Sequence, residues 1–118
     1  MKRRQFTKSE RREVYAKTNG HCAYCGRALE LHKMQVDHVV PLRKGGTNDI
    51  ENLLPSCRSC NHYKASFTIE QFRGNIQNIP RVLSRDSASY RIAKDYGLIK
   101  ENKEPIIFYF EKMRSETN

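Results

Sequence analysis

Apolar positions along the chain recur in short stretches whose period keeps changing, so the pattern predicts many small elements. Thr7-x-x-Glu10 reads as a helix-starting capping box and Gly20 as a stop, which predicts a helix over residues 8–18. Residues 34–40 alternate loosely between apolar and polar and predict a strand that ends before Pro41. Residues 43–49, Arg43-Lys44-Gly45-Gly46-Thr47-Asn48-Asp49, predict a flexible turn. Residues 50–54 are too short to choose between helical and extended, and a helix is expected to start near residues 57–61 and run past Lys64. Thr68-x-x-Gln71 is a second capping-box start, followed by Ile69, Phe72 and Ile76 at helical spacing. Residues 86–96 predict a further helix closed by Gly97, and residues 100–105 a loop. Ile106-Ile107-Phe108-Tyr109-Phe110 is the strongest strand signal, β-branched or aromatic throughout. There is no internal repeat or low-complexity run, and the first few residues and residues 115–118 are expected to be loose ends.

Four cysteines change the picture. Cys22 and Cys25, then Cys57 and Cys60, form two Cys-x-x-Cys pairs, a spacing that suits a tetrahedral four-thiolate zinc site. A disulfide framework needs an oxidising compartment. Behind the basic start Met1-Lys2-Arg3-Arg4 there is no apolar run of a signal peptide, and no stretch approaches the ~20 apolar residues of a membrane span. The chain therefore reads as cytoplasmic, where thiols stay reduced and metal is favoured over disulfide. A redox motif would need only one pair. The 31 residues between Cys25 and Cys57 exceed the ~15–20 of a simple zinc ribbon, so something is inserted there.

The chain's 118 residues read as one domain, small enough to gain from a metal staple. Its 22 basic and 13 acidic residues give a net charge of +9, which suits a polyanionic partner, nucleic acid above all. The excess is greatest over residues 1–33, with nine basic and three acidic groups, against nine and seven over residues 65–118.

Between the cysteine pairs lie groups of a different chemistry. Hydrolysis of a phosphodiester needs a deprotonated water, neutralisation of charge on the phosphate and help for the leaving oxygen. His38 is the natural base, since imidazole titrates near neutral pH. Asp37 is a hard oxygen ligand of the kind Mg²⁺ prefers, and as a strand neighbour it points away from His38. Asn61, directly after Cys60, could lend an amide oxygen to the same ion. Tyr24 and Tyr63 could stack on a base or sugar but suit packing around the knuckle better, and His21 and His32 are assigned no chemistry.

Taken together, Cys22-Ala23-Tyr24-Cys25-Gly26, Asp37-His38-Val39-Val40-Pro41, Gly45-Gly46, Glu51-Asn52-Leu53 and Cys57-Arg58-Ser59-Cys60-Asn61-His62-Tyr63-Lys64 resemble the HNH endonuclease family. The likeness is to its small, zinc-stabilised members from bacteria and their phages, and covers roughly residues 10–65. It implies an α+β protein with a ββα-metal (His-Me finger) core over residues 8–65, carrying the four-cysteine zinc site and an N-terminal helix. Residues 66–118 are then a helical extension ending in a strand, which could complete the core, choose substrate or dock a partner protein. The resemblance implies hydrolysis of DNA to a 5′-phosphate and a 3′-hydroxyl, with His38 as general base. It implies Asp37 and Asn61 as ligands of one catalytic divalent ion, Mg²⁺ or another such as Mn²⁺ or Ni²⁺. Asn52 orients the base or braces the loop. The last ligand of the family is often His. Here the register Cys-x-x-Cys-ligand-x-x-Lys selects Asn61, with His62 as the rival. Lys64 matches a basic family position and is expected to meet a phosphate; Arg43 and Lys44 would touch the DNA backbone or simply keep the loop soluble. The chain reads as a monomer. The competing reading is a non-catalytic zinc module that binds nucleic acid, which accounts for the cysteines and the charge but not for Asp37, His38 and Asn61 at family spacing.

Overall fold

The computed structural model describes residues 5–117 and resolves into two compact units, one of residues 1–69 with 107–118 and one of residues 70–106. Residues 1–4 and 118, among those expected to be loose ends, lie outside the described residues.

The first unit opens with helix α1, Lys8–Ala16. Its capping box is complete: the Glu10 amide donates to Thr7 Oγ1 at 3.1 Å and the Thr7 amide to Glu10 Oε1 at 2.9 Å. The helix stops two residues short of the expected end, because Asn19 and Gly20 take positive φ and turn the chain, the Gly20 amide donating to Tyr15 O at 3.2 Å. Val14 is the only buried residue of α1. It joins Met34, Val36 and Leu53 in a core cluster, with Phe6, Tyr15, Leu29, Leu31 and Ile50 packed against it. Two cations are spent on this framework. Arg11 donates to the carbonyls of Leu31 and Met34, and Lys17 to those of Ile50 and Leu53.

Strand β1, Gln35–His38, and strand β2, Leu53–Ser56, form a two-stranded antiparallel sheet in which Asp37 faces Leu54 and His38 faces Leu53. The ambiguous stretch at 50–54 is thus divided between a 3₁₀ turn, Ile50–Asn52, and β2. Pro55 lacks a ladder donor, but its carbonyl accepts from the Ala23 amide at 2.9 Å and so ties the first cysteine knuckle to the sheet. Helix α2, Arg58–Lys64, follows immediately and ends at Ala65, which has φ 47° and ψ −127°. It does not run past Lys64 as expected.

The expected strand over residues 106–110 is not formed. Helix α6, Tyr109–Thr117, starts inside it. (Helices α3 to α5 are given below.) The aromatic residues satisfy their burial without a partner strand. Phe108 and Phe110 lie 5.3 and 6.0 Å from Tyr24 in edge-to-face contacts. The first amides of α6, which have no partner inside the helix, donate to the knuckle: Tyr109 N to Tyr24 O at 3.1 Å and Phe110 N to Ala23 O at 2.8 Å. Strand propensity reflects a fit to a pleated, half-buried surface, and here a helix end offers the better fit.

The second unit holds most of α3, Ile69–Gln77, together with α4, Ile79–Asp86, and α5, Ala88–Asp95. Helix α4 is absent from the sequence reading. Pro80 falls in its first turn, where a missing amide costs nothing. Ser87 separates α4 from α5 and caps the latter, its side chain accepting from Tyr90 N at 3.1 Å. Arg91 in turn donates to the carbonyls of Ser84 and Arg85.

The Gly45-Gly46 pair in the loop after β1 separates two costs. A Cβ on Gly46 would fall 1.8 Å from the Val40 carbonyl oxygen, whereas at Gly45, φ +91°, nothing lies within 4 Å. Gly45→Ala is therefore expected to cost about 1–2 kcal/mol of backbone strain alone. Gly46→Ala should cost more, because backbone must move. Urea denaturation of the two variants checks this, and an equal or larger loss for Gly45→Ala contradicts the packing of this loop.

Candidate functional site

The four cysteines converge from two places. The turn at residues 22–26 is closed by Cys22 N donating to Arg27 O at 2.8 Å and Gly26 N to Cys22 O at 3.0 Å. The second pair sits on the first turn of α2, where Cys57 is the N-cap and its sulfur accepts from the Cys60 amide at 3.4 Å. All four Sγ atoms lie within 4.8 Å of one another, and Cys25 Sγ is 3.9 Å from Cys57 Sγ. Four sulfurs at ~2.3 Å from one tetrahedral ion would stand about 3.8 Å apart, so the donor set fits a metal. None of the four is in a disulfide. The Cys57 amide also donates to Cys22 Sγ at 3.3 Å. The hydrogen bond from Cys60 pulls the Cys22 thiol well below its ordinary range and pushes Cys60 up.

Beside this cluster, β1, the loop after it and α2 with the residues that follow it line a cleft of about 590 Å³ that contains Asp37, His38, Arg43 and Asn61. Burial of Asp37 raises its carboxyl above the usual range, opposed by the adjacent Lys64 ammonium. Its Oδ2 accepts from Tyr24 Oη at 2.5 Å and pairs with Lys64 Nζ at 3.1 Å. Burial and the Asp37 charge both push the Tyr24 phenol up, so it remains a donor. Asn61 is half-buried and lines the cleft; His62 is exposed and does not.

His38 is 7% exposed. Its Nε2 lies 2.8 Å from Asn48 Oδ1, and its ring centroid is 6.1 Å from that of Phe6. Asn52 uses its side chain otherwise. Its Oδ1 accepts from Val40 N at 2.9 Å, and its Nδ2 donates to Val40 O at 3.0 Å and Thr47 O at 2.8 Å. That is a brace across the loop.

One expectation is overturned. The side chain of Lys64 is 0% exposed and cannot meet a phosphate; its ammonium pairs with Asp37 and donates to His38 O at 2.9 Å. Of the two loop cations, Arg43 lines the cleft, while Lys44 Nζ lies 5.6 Å from the centre of the Phe67 ring. Two contributors were missed in the sequence. In sequence Asn48 is only part of a flexible turn, and Tyr24 suits packing around the knuckle with no sign of its bond to Asp37. Nothing in local pattern marks either, since both partners are distant in sequence or set by the loop's shape.

Among the described residues no helix is long and apolar enough to cross a membrane. Residues 22–67 match the family model for HNH endonuclease. The SPbeta prophage-derived putative HNH endonuclease YoqL of Bacillus subtilis (strain 168) is 39% identical over 62 residues, 46% of this chain and 27% of that protein. The CRISPR-associated endonuclease Cas9 of Corynebacterium diphtheriae is 41% identical over 49 residues, 41% of this chain and 4% of that protein. The crystal structure of the Type II-C Cas9 enzyme from Actinomyces naeslundii superimposes with a TM-score of 0.53 at 26% identity, over 64% of this chain and 8% of that one. The chain thus corresponds to about a quarter of one relative and to a small part of the others. The segment that matches the HNH endonuclease model, residues 22–67, holds both cysteine pairs together with Asp37, His38 and Asn61.

Proposed function

We propose that this chain is a metal-dependent endonuclease that hydrolyses DNA phosphodiester bonds. The observation that carries the reading is that Asp37, His38 and Asn61, a carboxylate, an imidazole and an amide from two separate elements, line one cleft next to a four-sulfur cluster. A non-catalytic zinc module would need the cluster but not that convergence.

In this reading the cysteines hold zinc, and β1, β2 and α2 form the ββα-metal core. The cluster joins the knuckle to the first turn of α2 and so fixes where Asn61, one residue on, projects. Asp37 and Asn61 would hold a divalent ion such as Mg²⁺, Mn²⁺ or Ni²⁺, which when bound supplies charge neutralisation at the scissile phosphate. Asp37 is suited to this because Tyr24 and Lys64 both engage Oδ2. His38 accepts a proton from the attacking water as its oxygen bonds to phosphorus. The bond to the 3′-oxygen breaks, and that oxygen takes a proton from solvent water to leave as a hydroxyl. Arg43, at the cleft wall, suits a phosphate of the bound strand. Lys64 acts from within, holding the Asp37 carboxylate and the His38 carbonyl together.

Zinc binding is tested by elemental analysis of protein purified without chelator, where one zinc per chain is expected. Cys57→Ser should lose the zinc and much of the far-UV circular dichroism, since a structural metal's binding energy is folding energy. A folded, zinc-free wild-type protein contradicts the assignment.

His38→Ala should reduce cleavage of plasmid DNA in Mg²⁺ or Mn²⁺ by at least the ~10²–10⁴ of a missing general base, with zinc content unchanged. Cutting at the wild-type rate would remove His38 from the chemistry.

Asn61→Ala should raise the divalent-ion concentration needed for half-maximal cleavage far more than His62→Ala. Adjacent helical residues are rotated by about 100°, so both cannot serve one ion. The reverse ranking in a metal titration transfers the ligand to His62.

A further inference from the structure

The residue hydrogen-bonded to the ring of His38 is one the sequence hid inside a turn. We propose that Asn48 is a positioning residue that holds His38 in the tautomer protonated at Nε2, leaving Nδ1 as the basic nitrogen. Asn52 then acts on the site only through the loop that carries Asn48. The inference rests on the nuclease reading above.

A neutral imidazole has one donor and one acceptor nitrogen, and the fixed partner of one nitrogen decides the role of the other. Asn48 Oδ1 stands 2.8 Å from His38 Nε2, and an amide oxygen can only accept, so that nitrogen carries the hydrogen. His38 as a whole is only 7% exposed, so Asn48 is a fixed partner where water would be a mobile one. The rest of His38 is fixed independently. Its backbone pairs with Leu53 across the sheet, its carbonyl accepts from Lys64 Nζ, and its ring lies beside Phe6. What remains open is the rotation of the ring about Cβ–Cγ and the choice of nitrogen that carries the hydrogen, and the Asn48 contact at Nε2 bears on both. The net contribution of one such hydrogen bond selects one form by roughly several-fold.

Asn48 is held in turn. Asn52 clamps the backbone at Val40 and at Thr47, the residue before Asn48, and Thr47 Oγ1 donates to Asp49 Oδ2 at 2.9 Å on the other side. Gly46 N donates to Pro41 O at 3.0 Å and pinches the loop base. All three hydrogen bonds of the Asn52 side chain are with backbone, none with His38. The chain of constraint therefore runs from Asn52 to the loop, from the loop to Asn48, and from Asn48 to the base.

The test uses the full chain, labelled with ¹⁵N, as wild type, Asn48→Ala and Asn48→Asp, at a pH where the ring is neutral. Long-range ¹H–¹⁵N correlation spectra are expected to show His38 protonated at Nε2 in wild type and Asn48→Asp, which keeps an acceptor oxygen, and a tautomer mixture in Asn48→Ala. In plasmid cleavage Asn48→Ala should lower kcat by ~10–100-fold with KM for DNA within about twofold, and Asn48→Asp should stay closer to wild type. Adding Asn52→Ala to Asn48→Ala should slow the reaction less than the two single losses combined, as expected for groups acting in series. A wild-type ring protonated at Nδ1, or an Asn48→Ala protein with wild-type tautomer and rate, overturns the proposal. Should Asn48→Ala fail to fold, the wild-type and Asn48→Asp spectra still decide it. A wild-type protein that never cuts DNA while His38 carries hydrogen at Nε2 sinks the nuclease reading and leaves the tautomer assignment supported.

Discussion

The meeting of four sulfurs is the constraint on which the rest of the first unit depends. The segment from Cys22 to Cys60 closes a long loop, and bringing such distant residues together costs chain entropy that a short, thin core repays poorly. Only four core residues form the cluster around Val14, and the sheet has only two strands. Within 4.8 Å the sulfurs gather the knuckle and the first turn of α2. Neighbouring contacts repeat that junction: Ala23 N on the Pro55 carbonyl, Cys57 N on the Cys22 sulfur, and the first amides of α6 on the carbonyls of Ala23 and Tyr24. Sheet, helix and C-terminal segment all attach to the same few residues.

The cleft follows from that junction. A β-strand sends adjacent side chains to opposite faces, so Asp37 and His38 can have separate surroundings although they are neighbours. Asp37 turns to Tyr24 and Lys64, while His38 turns to Asn48 and Phe6. Neither surrounding could arise from β1 alone. Tyr24 belongs to the knuckle, Lys64 to the end of α2, Asn48 to the loop and Phe6 to the approach to α1.

Legibility in the sequence divides along the same line. What depends on residues close together, or on a spacing with a fixed chemical meaning, could be read: the Thr7–Glu10 capping box, the strand before Pro41, the gathering of the two cysteine pairs, and the placement of Asp37, His38 and Asn61 around one cleft. What depends on tertiary choice could not. Ile106-Ile107-Phe108-Tyr109-Phe110 satisfies every local rule for a strand, yet burial against Tyr24 and two carbonyl acceptors turned its second half into a helix. Helix α4 was hidden by a proline that only weakens a helix beyond its first turn. Asn48 was hidden because turn residues are ordinarily explained by the turn.

Lys64 shows a further limit, since a basic residue in a basic protein invites the assumption that it faces the anionic partner. The sign of a charge is written in the sequence, but its solvation is not. An ammonium with 0% exposure is tolerated only with close acceptors, and here they are the Asp37 carboxylate and the His38 carbonyl. Removing either partner would strand the other charge in a dry place, so the pair is retained as a pair. The same logic applies to Arg11 and Lys17, whose cations end on backbone carbonyls of the framework. Three of the 22 basic residues thus brace the framework through their cations, Lys64 fully buried and Arg11 and Lys17 half-buried.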